Sequence, residues 1–215
     1  MANSRQVNAG GLTSSSPWKL MDTHSAAMTP VSSLKNKQIS SYCCIQVRLI
    51  QSILTNHWDQ KADYDSPLPV KCDLLTLPEQ DKTIQQHDFI SAVGALSYVV
   101  TGTRPDLAYA VNLLARYSMS PGANHWRFLQ HVLGYLNKTQ HYCLSLTPDP
   151  GKLELKVYSD ASWGGELSRS SHGYITTFLG FPIAWYAKCF ATIASSSCHA
   201  ESMALATASR HSQWL

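Results

Sequence analysis

The chain changes its hydrophobic rhythm once, and the change divides it. From Asp88 onward apolar residues recur at helical spacing: Phe89, Val93, Leu96 and Val100 share one face, and the stripe ends near Thr101-Gly102. Thr103-Arg104-Pro105-Asp106 reads as a helix start, with Pro at the first position and an acid favoured by the helix dipole; Leu107, Ala110, Val111 and Leu114 carry it on. Ser120-Pro121 restarts the chain, and Trp126, Leu129, Leu133 and Leu136 form a third stripe ending by Asn137-Lys138. Three helices with short connections are expected to pack as antiparallel neighbours, forming a helical core or a surface that grips a template.

After the turn-rich Thr147-Pro148-Asp149-Pro150-Gly151 the period drops to two. Leu153, Leu155 and Val157 alternate with Glu154, Lys156 and Tyr158, a strand with one buried face that is expected to stop at Asp160. Gly173–Leu179 and Phe181–Ala187 read as two more strands joined by a tight turn at Gly180. Ser195-Ser196-Ser197 then offers a hydroxyl cap for a helix running to Trp214, with Ala200, Met203, Ala204 and Ala208 on one face. Three antiparallel strands followed by a helix make the expected order, and the whole is expected to be α+β.

The N-terminal third is less patterned. Residues 1 to about 40 are rich in Ser, Asn, Thr and Gly and are expected to be mostly disordered. Ile45, Leu49, Ile50, Ile53, Leu54 and Trp58 suggest a short amphipathic helix, and the Pro-punctuated stretch from Lys61 to Gln80 reads as an extended linker. The expected organisation is a poorly ordered segment 1–65, a helical region 66–147 and a small mixed domain 148–215.

Composition narrows the chemistry. Apolar residues make up 44% of the 215, enough for a real core, while a 14% charged fraction and a net charge of +3 leave nucleic-acid contacts to local patches. Six cysteines, with no C-x-x-C pair and with Cys43 and Cys44 adjacent, argue against a disulfide framework and a zinc site. No apolar run reaches a membrane span and no signal peptide is evident, so an intracellular, unsecreted protein in the cytoplasm or nucleus is expected.

The residues with chemical promise are carboxylates. Asp160 stands where a rigid strand gives way to Ala161, Ser162, Gly164 and Gly165, a setting that suits either a metal ligand or an Asp that merely begins a turn. Glu201 falls in the first turn of the last predicted helix. If that helix crosses the sheet, the two carboxylates meet and invite a divalent ion such as Mg²⁺. His199, beside Glu201, is weighed as a replacement base and as a solvent-facing residue. Trp163 and Trp185 suit stacking on nucleic acid and core packing alike.

Several blocks resemble a known family in order and spacing. SPLPV (66–70), FISAVGALSYVVTGTRPDLAYAVNLLARY (89–117), HWRFLQHVLGYLNKTQHYCLSL (125–146), YSDASWGG (158–165), SHGYITTFLGFPIAWYAK (171–188) and SSSCHAESMAL (195–205) are similar to the end of the Pol polyprotein of copia-type LTR retrotransposons, where reverse transcriptase runs into RNase H. The resemblance implies a connection or thumb-like helical region, then the opening of an RNase H-like fold. It also implies that Asp160 and Glu201 are catalytic and metal-binding residues for Mg²⁺ or Mn²⁺, acting on RNA–DNA hybrids recognised by shape and backbone.

The sequence also departs from the family. Cys198, His199 and Ser202 stand where the family motif has Thr, Glu and Tyr, although Glu201 is kept. Family members continue beyond the equivalent of Trp214-Leu215 into a strand with a further metal-binding Asp, and no Tyr-x-Asp-Asp polymerase motif precedes SPLPV. The expectation is therefore a Pol fragment with little or no independent catalysis and a weakly held metal. The alternatives are a working Mg²⁺-dependent ribonuclease H and a nucleic-acid-binding module that does not cut.

Overall fold

The structure, a computed structural model, describes residues 28–30, 37–59, 62–69, 85–144, 151, 153–164 and 170–215. Much of the segment expected to be disordered, most of the expected linker, Cys72 and the turn-rich residues 147–150 lie outside these. Among the described residues there are five α-helices and a three-stranded antiparallel sheet, an α+β architecture.

Strand β1 (Met28–Pro30) pairs antiparallel with β2 (Tyr142–Leu144), so the chain before the first helix returns to the end of the helical region. Helix α1 spans Lys37–His57, longer than the short helix that the apolar spacing suggested. Its Ile50, Ile53 and Leu54 are buried in the same core as the later helices.

Helices α2 (Gln86–Gly102), α3 (Ala108–Ala115) and α4 (Ala123–Lys138) close that core with Phe89, Leu96, Val99, Leu107, Leu114, Leu129, Leu133 and Leu136. The expected helix start at Pro105 is instead a short 3-10 turn, Pro105–Leu107, from which α3 continues. Pro105 still supplies the fixed φ that opens the segment. Helix α4 begins after Gly122, whose N–H donates to Nδ1 of His125 at 2.8 Å.

Residues 62–69 run along α4. Tyr64 packs its ring against that of His131 with centroids 3.8 Å apart and planes tilted by 30°, Asn137 donates to Asp63 at 2.8 Å, and Lys138 pairs with Asp65. Gly134 is required by this approach, because a Cβ there would collide with the Ala62 carbonyl oxygen and stand 2.8 Å from Cδ2 of Tyr64.

A buried ion pair joins the two ends of the helical region. Arg104, fully buried, grips Asp106 through Nε (3.0 Å to Oδ1) and Nη2 (2.8 Å to Oδ2), and also donates to the carbonyl and hydroxyl oxygens of Thr139 at 3.1 and 2.6 Å. Tyr135 donates its phenol to Asp106 at 2.9 Å, and its own pKa is pushed up by burial and by the Asp106 charge. A guanidinium taken out of water needs this full set of acceptors.

The sheet follows in order β3 (Leu155–Ser162), β4 (Ser171–Phe178), β5 (Phe181–Cys189). Leu179 and Gly180, with φ of 51° and 85°, form the tight turn between β4 and β5; two positive φ values match the twist of an antiparallel hairpin. Pro182 sits in β5, an edge strand, where a missing N–H is tolerated. Helix α5 (Ser197–Trp214) packs on β3 and β4 through Ala200, Ala204 and Ala208, whose small side chains let it lie close. Trp185 of β5 donates its indole N–H to the Val100 carbonyl at 2.8 Å, fastening the sheet to the end of α2. No described helix is long and apolar enough to cross a membrane.

Candidate metal centre

Asp160 and Glu201 come together. Asp160 does not end its strand: pairing continues through Ala161 with His172 and Ser162 with Ser171, so β3 runs two residues past the expected stop. Polar and small residues there kept the alternation from being visible, while the backbone ladder, indifferent to side chains, went on. Gly173 lies directly opposite Asp160 and presents no side chain beside the carboxyl.

Glu201 is likewise displaced from its expected place. It is the fifth residue of α5 and so belongs to the second turn, with no acidic residue in the first. The cap accounts for the offset: Ser196 accepts a bond from the His199 N–H at 3.1 Å, so the helix starts at Ser197.

The two carboxyls stand within reach of each other, and each is among the causes of the other's shift. Burial raises the pKa of both. The neighbouring Asp160 charge raises Glu201 further, while bonds from Glu201 and from the Ala161 N–H, 3.0 Å from Oδ1, offset part of the rise at Asp160. Two like charges this close disfavour ionisation of the pair, which is the cause of the further rise at Glu201. Neither carboxyl forms an ion pair with a described basic residue, and no group of three or more His, Cys, Asp and Glu side chains is gathered among the described residues. The arrangement offers two hard oxygen donors on two elements, chemistry suited to a divalent cation that keeps waters and phosphate oxygens in its remaining positions.

The other candidates fall outside this pair. His199 turns its Nδ1 to Ser195, 3.1 Å from the hydroxyl and 3.3 Å from the N–H that donates to it, and serves the helix cap. His172 is buried flat against Phe190, with ring centroids 4.0 Å apart, and burial lowers its pKa. Cys189 and Cys198 are free thiols. Trp185 is half-buried at the contact with α2, whereas Trp163 is 54% exposed with its indole N–H donating to the Ala194 carbonyl at 2.9 Å. That bond links the end of β3, which carries Asp160, to the loop entering α5, which carries Glu201. Sequence reasoning named both carboxylates but missed this tether and the Arg104 network; an Arg placed directly before Pro-Asp was the available signal for the latter.

The chain is 42% identical over 129 residues to Secreted RxLR effector protein 161 of Plasmopara viticola, covering 59% of this chain and 90% of that protein. It is 36% identical over 143 residues to the retrovirus-related Pol polyprotein from transposon TNT 1-94 of Nicotiana tabacum, covering 65% of this chain and 10% of that polyprotein. To the Pol polyprotein from transposon RE2 of Arabidopsis thaliana it is 37% identical over 143 residues, again about a tenth of that protein's length. No protein-family model and no solved structure matches the chain. Stretches similar to about two thirds of this chain thus lie within much longer transposon proteins, and the chain is similar to a part of the retrovirus-related Pol polyproteins of copia-type transposons.

Proposed function

We propose that the chain spans the connection helices and the opening part of a ribonuclease H-type domain of a copia-type Pol polyprotein. In this reading Asp160 and Glu201 begin a Mg²⁺ site directed at the RNA strand of an RNA–DNA hybrid, and the chain alone cuts hybrid little or not at all. The observation that carries it is the meeting of two carboxyls from separate elements, both pushed up by burial and Glu201 further by the Asp160 charge, with no ion-pair partner among the described basic residues.

The donor set fits Mg²⁺ or Mn²⁺ in kind, since both ligands are hard oxygens and one or two carboxylates plus phosphate commonly suffice for Mg²⁺. Bound there, the ion would supply charge neutralisation at a phosphate and activation of water. The protein's own part is positional. Asp160 is oriented by the strand and the Ala161 N–H, Glu201 by the helix and its cap, and a cation held between them would offset the repulsion that raises Glu201. Two carboxylates orient a phosphate less completely than the larger acidic sets of two-metal nucleases, which supports weak or absent cutting by this chain alone.

Purified protein is incubated with a labelled RNA–DNA hybrid in Mg²⁺ or Mn²⁺. Absence of cleavage is expected; cleavage abolished by Asp160→Asn would overturn the weak-activity reading in favour of a working ribonuclease H. A second reading, hybrid binding without cutting, draws on the exposed, tethered ring of Trp163, three residues after Asp160 in the chain. It predicts salt-sensitive binding weakened by Trp163→Ala, and failure to bind at low salt removes it.

A further inference from the structure

We propose that a cleft between the helical layer and the β5 edge is a second binding site, specific for a neutral planar heterocycle of the nucleobase class. The inference is independent of the carboxylate pair. Glu201 and His211 stand ten residues apart on α5, about 15 Å along its axis.

The cleft encloses about 360 Å³, at the small end of the roughly 300–1,000 Å³ typical of ligand sites, and it lies where two packed layers meet, a common position for such sites. Its walls come from α2, α3, β4, β5 and the last turns of α5. Four aromatic rings line it: Trp185, Tyr174, Tyr186 and His211. Tyr174 and Tyr186 are nearly parallel, with centroids 5.5 Å apart and 16° between planes, and His211 lies 5.0 Å from Tyr174. Flat π-faces in this number favour a flat ligand.

Charge and hydrogen bonding narrow the class. None of the lining residues is Asp, Glu, Lys or Arg, so a phosphate or a fixed cation would enter without a counter-ion. The lining hydroxyls of Ser97 and Thr101 are already committed to carbonyls of their own helix, and the Trp185 N–H to Val100. Nε2 of His211, in contrast, is buried with no hydrogen-bond partner among the described residues. In the proposed complex the His211 ring turns so that this nitrogen meets a hydrogen-bonding edge of the ligand, whose face lies on the tyrosines, and both requirements are satisfied. Nucleobases do so, either as free nucleosides or as bases of a single strand.

The full chain, labelled with ¹⁵N, is titrated with each of the four ribonucleosides and, separately, with short single-stranded oligonucleotides, following the Trp185 indole N–H resonance. A saturable shift with at least one nucleoside is expected when the free heterocycle is the ligand; a shift with oligonucleotides alone assigns the base to a strand, and either outcome supports the site. His211→Phe keeps a ring and removes the nitrogen, and should weaken binding about tenfold. Ala187→Leu fills the cleft and should abolish the shift, with Asn112→Trp as the alternative block should Ala187→Leu fail to fold. No saturable shift with any ligand at millimolar concentration, or undiminished binding in either His211→Phe or the folded blocking variant, overturns the proposal.

Discussion

Trp163 donates its indole N–H to the carbonyl of Ala194 at 2.9 Å, and through that bond the strand holding Asp160 is tied to the loop that leads to Glu201. Replacing the indole by a ring without a donor separates the tether from simple packing. Trp163→Phe should lower stability by about 1 kcal/mol, as expected for one hydrogen bond, and should broaden the side-chain carboxyl resonances of Asp160 and Glu201. Urea denaturation measures the first effect and carbon-detected NMR the second. Sharp, unmoved carboxyl resonances would show that the tether does not position the pair.

The carboxylate pair sets a pH dependence with a definite sign. Both groups have raised pKa values in the folded protein, so their contribution to stability is fully present below the ordinary carboxylate range, about pH 4, and is lost as pH rises through the raised values. Asp160→Asn removes the repulsion. Its melting temperature relative to wild type should therefore rise between pH 4 and pH 7 in metal-free buffer. Mg²⁺ at pH 7 should stabilise the wild type by mass action and leave Asp160→Asn unmoved. Equal responses of the two proteins to Mg²⁺ would mean that the pair does not hold the ion.

Arg104 is predicted to be the most sensitive polar residue in the helical core. Arg104→Met strands Asp106 in a buried setting with only the Tyr135 phenol for company and should cost about 3–5 kcal/mol. Arg104→Lys keeps the charge but loses the bidentate fork, and should fall between the two. Tyr135→Phe removes one hydrogen bond and should cost about 1 kcal/mol. Chemical denaturation of the three variants tests the ranking, and an Arg104→Met protein as stable as wild type contradicts it.

Gly134 reports on the segment alongside α4. A methyl group there strikes the Ala62 carbonyl, so Gly134→Ala should free residues 62–69 from the helix at a cost of about 1–3 kcal/mol, despite alanine's better helix propensity. Hydrogen exchange of the helix around His131 and Asn137 should accelerate. If exchange is unchanged and the variant is stabilised, the close approach is not maintained in solution.

Much of this architecture could be read from periodicity. The stripes through Phe89, Leu96, Leu129 and Leu136 became core positions, because repeated burial writes itself into spacing; the alternation after Leu153 did mark a strand, but Leu153 and Leu155 are exposed, so the expected buried face is not formed there. The pairing of Asp160 with Glu201 was also anticipated, since a helix following the sheet can reach its first strand. Other features left no periodic trace. The strand's extension to Ser162 depends on backbone bonds made by residues with small or polar side chains, and Glu201's place in the second turn depends on which of three serines caps the helix. The Arg104 network joins residues 35 apart in sequence, and the Trp185 bond to Val100 joins residues 85 apart; neither distance is coded by any local pattern. His211 drew no attention because its role depends on the cleft that only the assembled layers create.

The Arg104–Asp106–Tyr135–Thr139 cluster lies in the helical core and makes no bond to either carboxylate of the candidate centre. Arg104, Pro105 and Asp106 therefore serve the scaffold and do not touch the carboxylate pair. A variant of this chain without Asp160 or Glu201 would still build the same helical unit, so scaffold and carboxylate pair can change independently of one another.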